Sequence, residues 1–227
     1  MKTYIIIGGS KGIGKAFIEN FIEEHKIINI SRTTPSVKHN NLTHYDCDVL
    51  TDDLPEIENA DGLIYCPGSI NLKPISRLKI EDFKADFEIN VIGAVKAIQH
   101  YLPALKKSNQ AAIVLFSTVA SKLGMPYHAS IATAKSAVEG LVKSLGAELA
   151  PSIRINAIAP TVTDTELASK LLRNDKMIAN ITERHPLKNY LKPKEVAEMA
   201  GFLLSNKAAS MSGQIFEMDY GIVSFKI

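Results

Sequence analysis

A chain of 227 residues, 46% hydrophobic and 22% charged, suits one globular core and is short for several. Its formal net charge of +2 gives no chain-wide field for nucleic acid or an acidic membrane surface, so neither is an expected partner. No apolar run approaches the ~18 residues of a membrane span. The residues before Gly8 are too short an apolar run for a signal peptide. The two cysteines, Cys47 and Cys66, are expected to stay reduced, and the cytoplasm is the expected location.

In chain order, buried-type apolar runs predict strands at 3–7, 27–30, 43–47, 62–66, 111–116, 154–159 and 214–218. Amphipathic patterns predict helices at 13–24, 87–106, 132–150 and 194–204. Strands with few polar residues, each followed by a helix, are βαβ units, which build a parallel sheet covered on both faces. The expected fold is an α/β doubly wound Rossmann-type sandwich, one domain over 1–227. The polar stretch 165–192, carrying Pro186, interrupts the alternation and is expected to be a mobile flap over a site. Its Leu167, Leu171, Leu172 and Ile178 suggest an apolar underside.

The first strand runs into Gly8-Gly9-Ser10-Lys11-Gly12-Ile13-Gly14, and a helix opens directly after it. Glycines at 8, 12 and 14 allow a tight turn and close backbone approach to a pyrophosphate, which the helix N-terminus attracts. The glycines alone would serve a turn equally well; their place between first strand and first helix argues for a nucleotide. The second strand ends Ser31-Arg32 with no acid, where an acid would bond a ribose 2′-hydroxyl. Arg32 offers a forked cation and Lys11 a second one, and together with Ser31 they favour the 2′-phosphate of NADP(H) over NAD(H). Taken singly, either cation reads better as a solvated surface charge.

The spacing G-x-x-x-G-x-G resembles the short-chain dehydrogenase/reductase family, and the resemblance spans nearly the whole chain. Asp48-Val49, Tyr65-Cys66-Pro67-Gly68, Asn90, Asn156 through Thr165 and Ser212-Gly213-Gln214 fall in that family's order of motifs, with Thr161 where it usually has glycine. The resemblance implies that the turn residues Gly8, Ser10, Lys11, Gly12, Ile13 and Gly14 border the cofactor. It implies the same of Asp48, Val49, Cys66, Pro67, Gly68, Pro160, Val162 and Thr165. The implied activity is NADP(H)-dependent oxidation or reduction of a small alcohol or carbonyl. A homodimer or homotetramer is implied too, and the small-residue helix near 129–150 suits such packing. No metal is expected.

In that family a Tyr-x-x-x-Lys pair sits one helical turn apart, with a serine or threonine and an asparagine completing the site. Lys135 matches the lysine, Thr118 the hydroxyl with Ser117 beside it, and Asn90 the asparagine. Ile131 stands where the tyrosine belongs, and isoleucine exchanges no proton. Bland readings exist for the others: an exposed helix lysine, strand-end hydroxyls, and an asparagine serving the backbone beside a helix kink. Tyr127 and His128 lie just upstream and offer a substitute, His128 the better one because imidazole titrates near neutrality; both could equally shape the pocket mouth or a subunit contact. Two readings stand side by side: a reductase with a displaced acid, and a nucleotide-binding relative without turnover. A fold with no cofactor is the third.

Overall fold

Residues 5–7, 63–64 and 111–115 are fully buried, as befits strands lying side by side at the centre of one sheet. The computed structural model describes residues 1–225. Its strands are β1 (Thr3–Ile7), β2 (Lys26–Ser31), β3 (Leu42–Asp46), β4 (Gly62–Tyr65), β5 (Ala111–Phe116), β6 (Ile153–Pro160) and β7 (Ile215–Met218). They form one sheet in the order β3-β2-β1-β4-β5-β6-β7, every neighbouring pair parallel. The edge strand β3 exposes Thr43, Tyr45 and Asp46, the alternation of a strand covered on one face only.

Helices cover both faces, so the single-domain α/β sandwich expected from the sequence is the fold. α1 (Gly12–Phe21) and α6 (Pro193–Leu204) bury Phe17, Ile18, Val196 and Leu203 against Tyr4, Ile6, Ile64 and Val114. α3 (Gly93–Leu105) and α4 (Ala129–Leu149) bury Ile98, Tyr101, Val138 and Val142 against Ile5, Ile7, Leu63 and Ile113.

Two helices were not expected. α2 (Ile80–Phe87) buries only Asp86 and α5 (Asp175–Arg184) buries nothing, although each carries a short apolar stripe, Ile80, Phe83 and Phe87 on one and Met177, Ile178 and Ile181 on the other. The expected long helix at 87–106 is instead the end of α2, a π-helical turn (Glu88–Ile92) and α3. The stretch 165–192 is correspondingly more regular than a structureless flap. It contains α5, capped by Asn174, and returns to the sheet through a bridge between Thr163 and Leu191. Among the described residues, no helix is long and apolar enough to cross a membrane.

Candidate active site and cofactor cleft

The chain leaves β1 toward β2 on one side and β4 on the other, so the strand order reverses beside β1. Clefts at the carboxyl ends of strands open at such a reversal. Here the glycine turn follows β1, and Cys66-Pro67-Gly68 follows β4. Gly8 has φ +81°, and a Cβ there would stand 3.1 Å from Pro67 Cδ. Gly12 has φ +53° and faces Thr165, while a Cβ on Gly14 would lie 2.5 Å from the Gly8 carbonyl oxygen. Any side chain would fill this cradle, which fits a pyrophosphate. Lys11 makes no side-chain cap to α1, and the first turn of α1 has no acid, so nothing anionic competes for its N–H groups.

At the far end of the cradle the expected cations are both present and both engaged. Lys11 Nζ lies 2.7 Å from Glu166 Oε2, and Arg32 Nη1 lies 3.7 Å from Asp48 Oδ2. Val49, the next residue, is buried in the core. Ser31 points inward: its hydroxyl donates to the Thr33 carbonyl at 2.9 Å and accepts from Asn29 Nδ2. Thr33 supplies the outward hydroxyl instead, donating to Ser10 Oγ at 2.8 Å. Asn29, which the sequence reading passed over, is fully buried; its Oδ1 accepts from the Gly9 amide at 2.8 Å. A polar residue inside the apolar run of β2 was the available signal.

The other end of the cleft is a cavity of about 180 Å³. Its wall brings together Ile13, Cys66, Gly68, Thr118, Ser117, His128, Ile131, Lys135, Pro160, Val162 and Thr165. Met125, Ile70, Leu167 and Leu171 make the rest largely apolar, whereas Leu172 and Ile178 are not part of the lining. Lys135 Nζ donates to the Phe116 carbonyl at 2.8 Å, which holds the ammonium at the end of β5. Burial pulls Lys135 down to about 8, with Cys66 and Asp86 pulling part of the way back. Burial also pushes the Cys66 thiol up to about 12, so it is a neutral wall group rather than a nucleophile.

Ser117 and Thr118 part company. Ser117 Oγ donates to Glu139 Oε1 at 2.6 Å and is buried, which commits its proton to the helix behind it. Ser121 Oγ donates to the same carboxylate oxygen. Thr118 Oγ1 only accepts, from the Ala120 amide, and its proton has no partner among the described residues. Asn90 sits in the π-helical turn, where its Nδ2 donates to the Asp86 carbonyl at 2.8 Å and to Ser69 Oγ at 3.1 Å.

Ile131 is 5% exposed and faces the cavity, and no tyrosine lines that wall. Tyr127 adopts φ +69° and is 59% exposed, turned away from the cavity. His128 does line it. Its Nδ1 lies 2.7 Å from the Pro126 carbonyl, which can only accept, so Nδ1 carries a proton and Nε2 is the open nitrogen. Across the mouth, Thr161 Oγ1 lies 2.7 Å from His185 Nε2, while His185 Nδ1 donates to the Ile181 carbonyl. The threonine thereby ties the segment after β6 to the sheet.

A family model described as enoyl-(acyl carrier protein) reductase matches residues 45–223. The 3-oxoacyl-[acyl-carrier-protein] reductase FabG of Thermotoga maritima is 29% identical, over 98% of each chain. A short chain dehydrogenase family protein from Francisella tularensis has a related structure, with TM-score 0.89 and 27% identity over 99% of this chain and 100% of that one. ElxO, solved with NADP bound, matches at TM-score 0.88 and 26% identity, covering 99% of this chain and 100% of its own. With the ordered motifs, the parallel sheet and this cleft in place, the chain belongs to the short-chain dehydrogenase/reductase family.

Proposed function

We propose that the protein is a cytoplasmic NADP(H)-dependent oxidoreductase of a small carbonyl or alcohol compound, working without the family's tyrosine. The observation that carries this reading is the pairing of a glycine cradle, flanked by Lys11 and Arg32, with an apolar cavity holding Thr118, Lys135 and His128. NADP bound to ElxO supports the cofactor class. Gly8, Gly12 and Gly14 would admit the pyrophosphate. Lys11 and Arg32 would exchange their carboxylates for the 2′-phosphate, and Lys135 would hold the nicotinamide ribose. NADP(H) supplies or accepts the hydride when bound.

Thr118 has an uncommitted proton and holds the substrate oxygen. His128 Nε2 exchanges the proton at that oxygen: the neutral ring accepts it from an alcohol, and the charged ring returns it to a carbonyl's oxygen. The segment 165–192 serves as the flap, with Leu167 and Leu171 as its apolar contacts. The exposed Ile80, Phe87 and Ile92, beside a groove lined by Phe83, Ser130 and Thr133, support pairing of α2 and α4 with a second copy.

The test begins with NADPH and NADH separately in thermal melts, then a panel of small aldehydes, ketones and alcohols. A larger melting shift with NADPH, and turnover that falls about 10²-fold or more in His128→Ala, are expected. Absence of any NADPH shift removes the cofactor reading. Tight NADPH binding without turnover across the panel removes the enzyme reading.

A further inference from the structure

Asp86 is the one buried residue of α2, 2% exposed, and lies one helical turn before Asn90. Ser69 Oγ donates to its Oδ1 at 2.6 Å, and Asn90 Nδ2 donates to that same serine oxygen at 3.1 Å. Asp86 Oδ2 and Asn90 Oδ1 are buried and accept no hydrogen bond from the described residues. A methyl group placed on Gly68 would meet both Asn90 Oδ1, at 3.2 Å, and Lys135 Nζ, at 3.6 Å. A polar path thus runs from Lys135 past Gly68 to Asn90, Ser69 and Asp86, with Ser69 also facing the reaction cavity.

A buried carboxylate is costly unless a cation and hydrogen-bond donors offset it. Lys73 is paired with Asp82, and Lys84 and Glu88 are exposed on α2 and the π-helical turn. From α4 the groups that reach inward are Lys135, with neutral Ser130 beside it, and Glu139, whose Oε1 accepts from Ser117 and Ser121. From the end of β4 comes Cys66, whose thiol is neutral throughout the physiological range. Lys135 itself is held on the Phe116 carbonyl, a neutral acceptor that leaves its charge uncompensated. Glu139 is offset by those two hydroxyls, which leaves Asp86 and Lys135 as the uncompensated charges along this path.

We propose that Asp86 is the counter-charge of Lys135, held in place by the Ser69–Asn90 bridge, in a site whose usual phenol is replaced by Ile131. Asp86 is a positioning residue: it keeps Lys135 an ammonium at neutral pH. The consequence for catalysis rests on the cofactor reading of Lys135, but the pairing itself does not.

The test follows the Lys135 side chain by NMR in protein carrying isotope-labelled lysine, without cofactor, assigned with Lys135→Met. In Asp86→Asn and Asp86→Leu the titration midpoint of Lys135 is expected to fall by about one unit or more from its wild-type value. Asp86→Glu, which keeps the charge, is expected to restore most of it. The two neutral variants differ in what they ask of the packing, so either one that folds gives the result. An unchanged midpoint in a folded neutral variant overturns the pairing. NADPH titrated into Asp86→Asn should bind severalfold more weakly at pH 8 than into wild type, with the gap closing near pH 6. If wild type binds no NADPH while the midpoint still moves, the cofactor reading fails and the pairing stands.

Discussion

Lys11 Nζ and Glu166 Oε2, 2.7 Å apart, join the glycine turn to the first residues of the segment over the cavity. Both side chains are mostly exposed, so the pair adds little to stability. Its effect is competition, because the carboxylate occupies the cation that a 2′-phosphate would use. Glu166→Gln is therefore expected to raise NADPH affinity about two- to fivefold at low salt, with no gain for NADH. The advantage should fade near ~0.5 M NaCl. Fluorescence titration of both cofactors checks this, and an equal gain for NADH would count against a 2′-phosphate contact at Lys11.

Ile131 faces the cavity four residues before Lys135, so Ile131→Tyr is expected to place a phenol next to the ammonium. Carbonyl reduction should rise by about 10²-fold or more, read as NADPH oxidation, and it should no longer depend on His128. The larger ring costs about 1–3 kcal/mol of stability from overpacking. A variant that folds and binds NADPH but gains nothing would show that the backbone of α4 is set wrongly for a phenol.

Lys135 gives the stability a definite pH slope. Its folded value is about 8 against an ordinary 10.5, so between those pH values the unfolded chain binds the extra proton. Stability then rises with pH across that window, while below pH 8 the full burial penalty is present. Wild type should gain stability relative to Lys135→Met between pH 7 and pH 10, by a few degrees in melting temperature. A flat difference between the two proteins would mean that Lys135 is not desolvated.

Gly9 had no role of its own in the expected tight turn, yet a Cβ on it would lie 2.4 Å from Asn29 Oδ1 and 2.7 Å from Ile18 Cδ1. Gly9→Ala is expected to destabilise the protein by roughly 1–3 kcal/mol and to weaken NADPH binding as well. Urea unfolding measures the first effect. A loss no greater than that of an exposed-helix substitution would contradict the packing at this turn.

The sheet was legible in the sequence because its strands are apolar runs with little else to become, and all of the expected strands appear with small shifts at their ends. α2 and α5 were not picked out, although Ile80, Phe83 and Phe87 on one and Met177, Ile178 and Ile181 on the other keep the helical period; each is short and lies in a polar stretch that reads as loop. The cluster of Lys135, Thr118, Ile131 and His128 could be anticipated from motif order, and they do line one cavity. Hydrogen-bond direction could not be: Ser31 and Ser117 read as open hydroxyls, but each gives its proton to a neighbour inside the fold. Asp86 and Ser69 escaped notice because their pairing joins segments brought together only by α2 and the turn after β4.

Asn29 gives the cleft two ends of unequal firmness. Its amide links Gly9 to Ser31 and approaches His44 on β3, so the Ser31–Arg32 end of the cleft leans on the outermost strand of the sheet. The cavity end rests on β4 and β5, which are buried throughout. Local opening concentrates where few apolar contacts guard the backbone. By that measure the β2–β3 side of the sheet is expected to open more readily than the floor formed by β4 and β5. A dinucleotide bound as proposed would then have more to organise beside β2 and β3 than above β4 and β5.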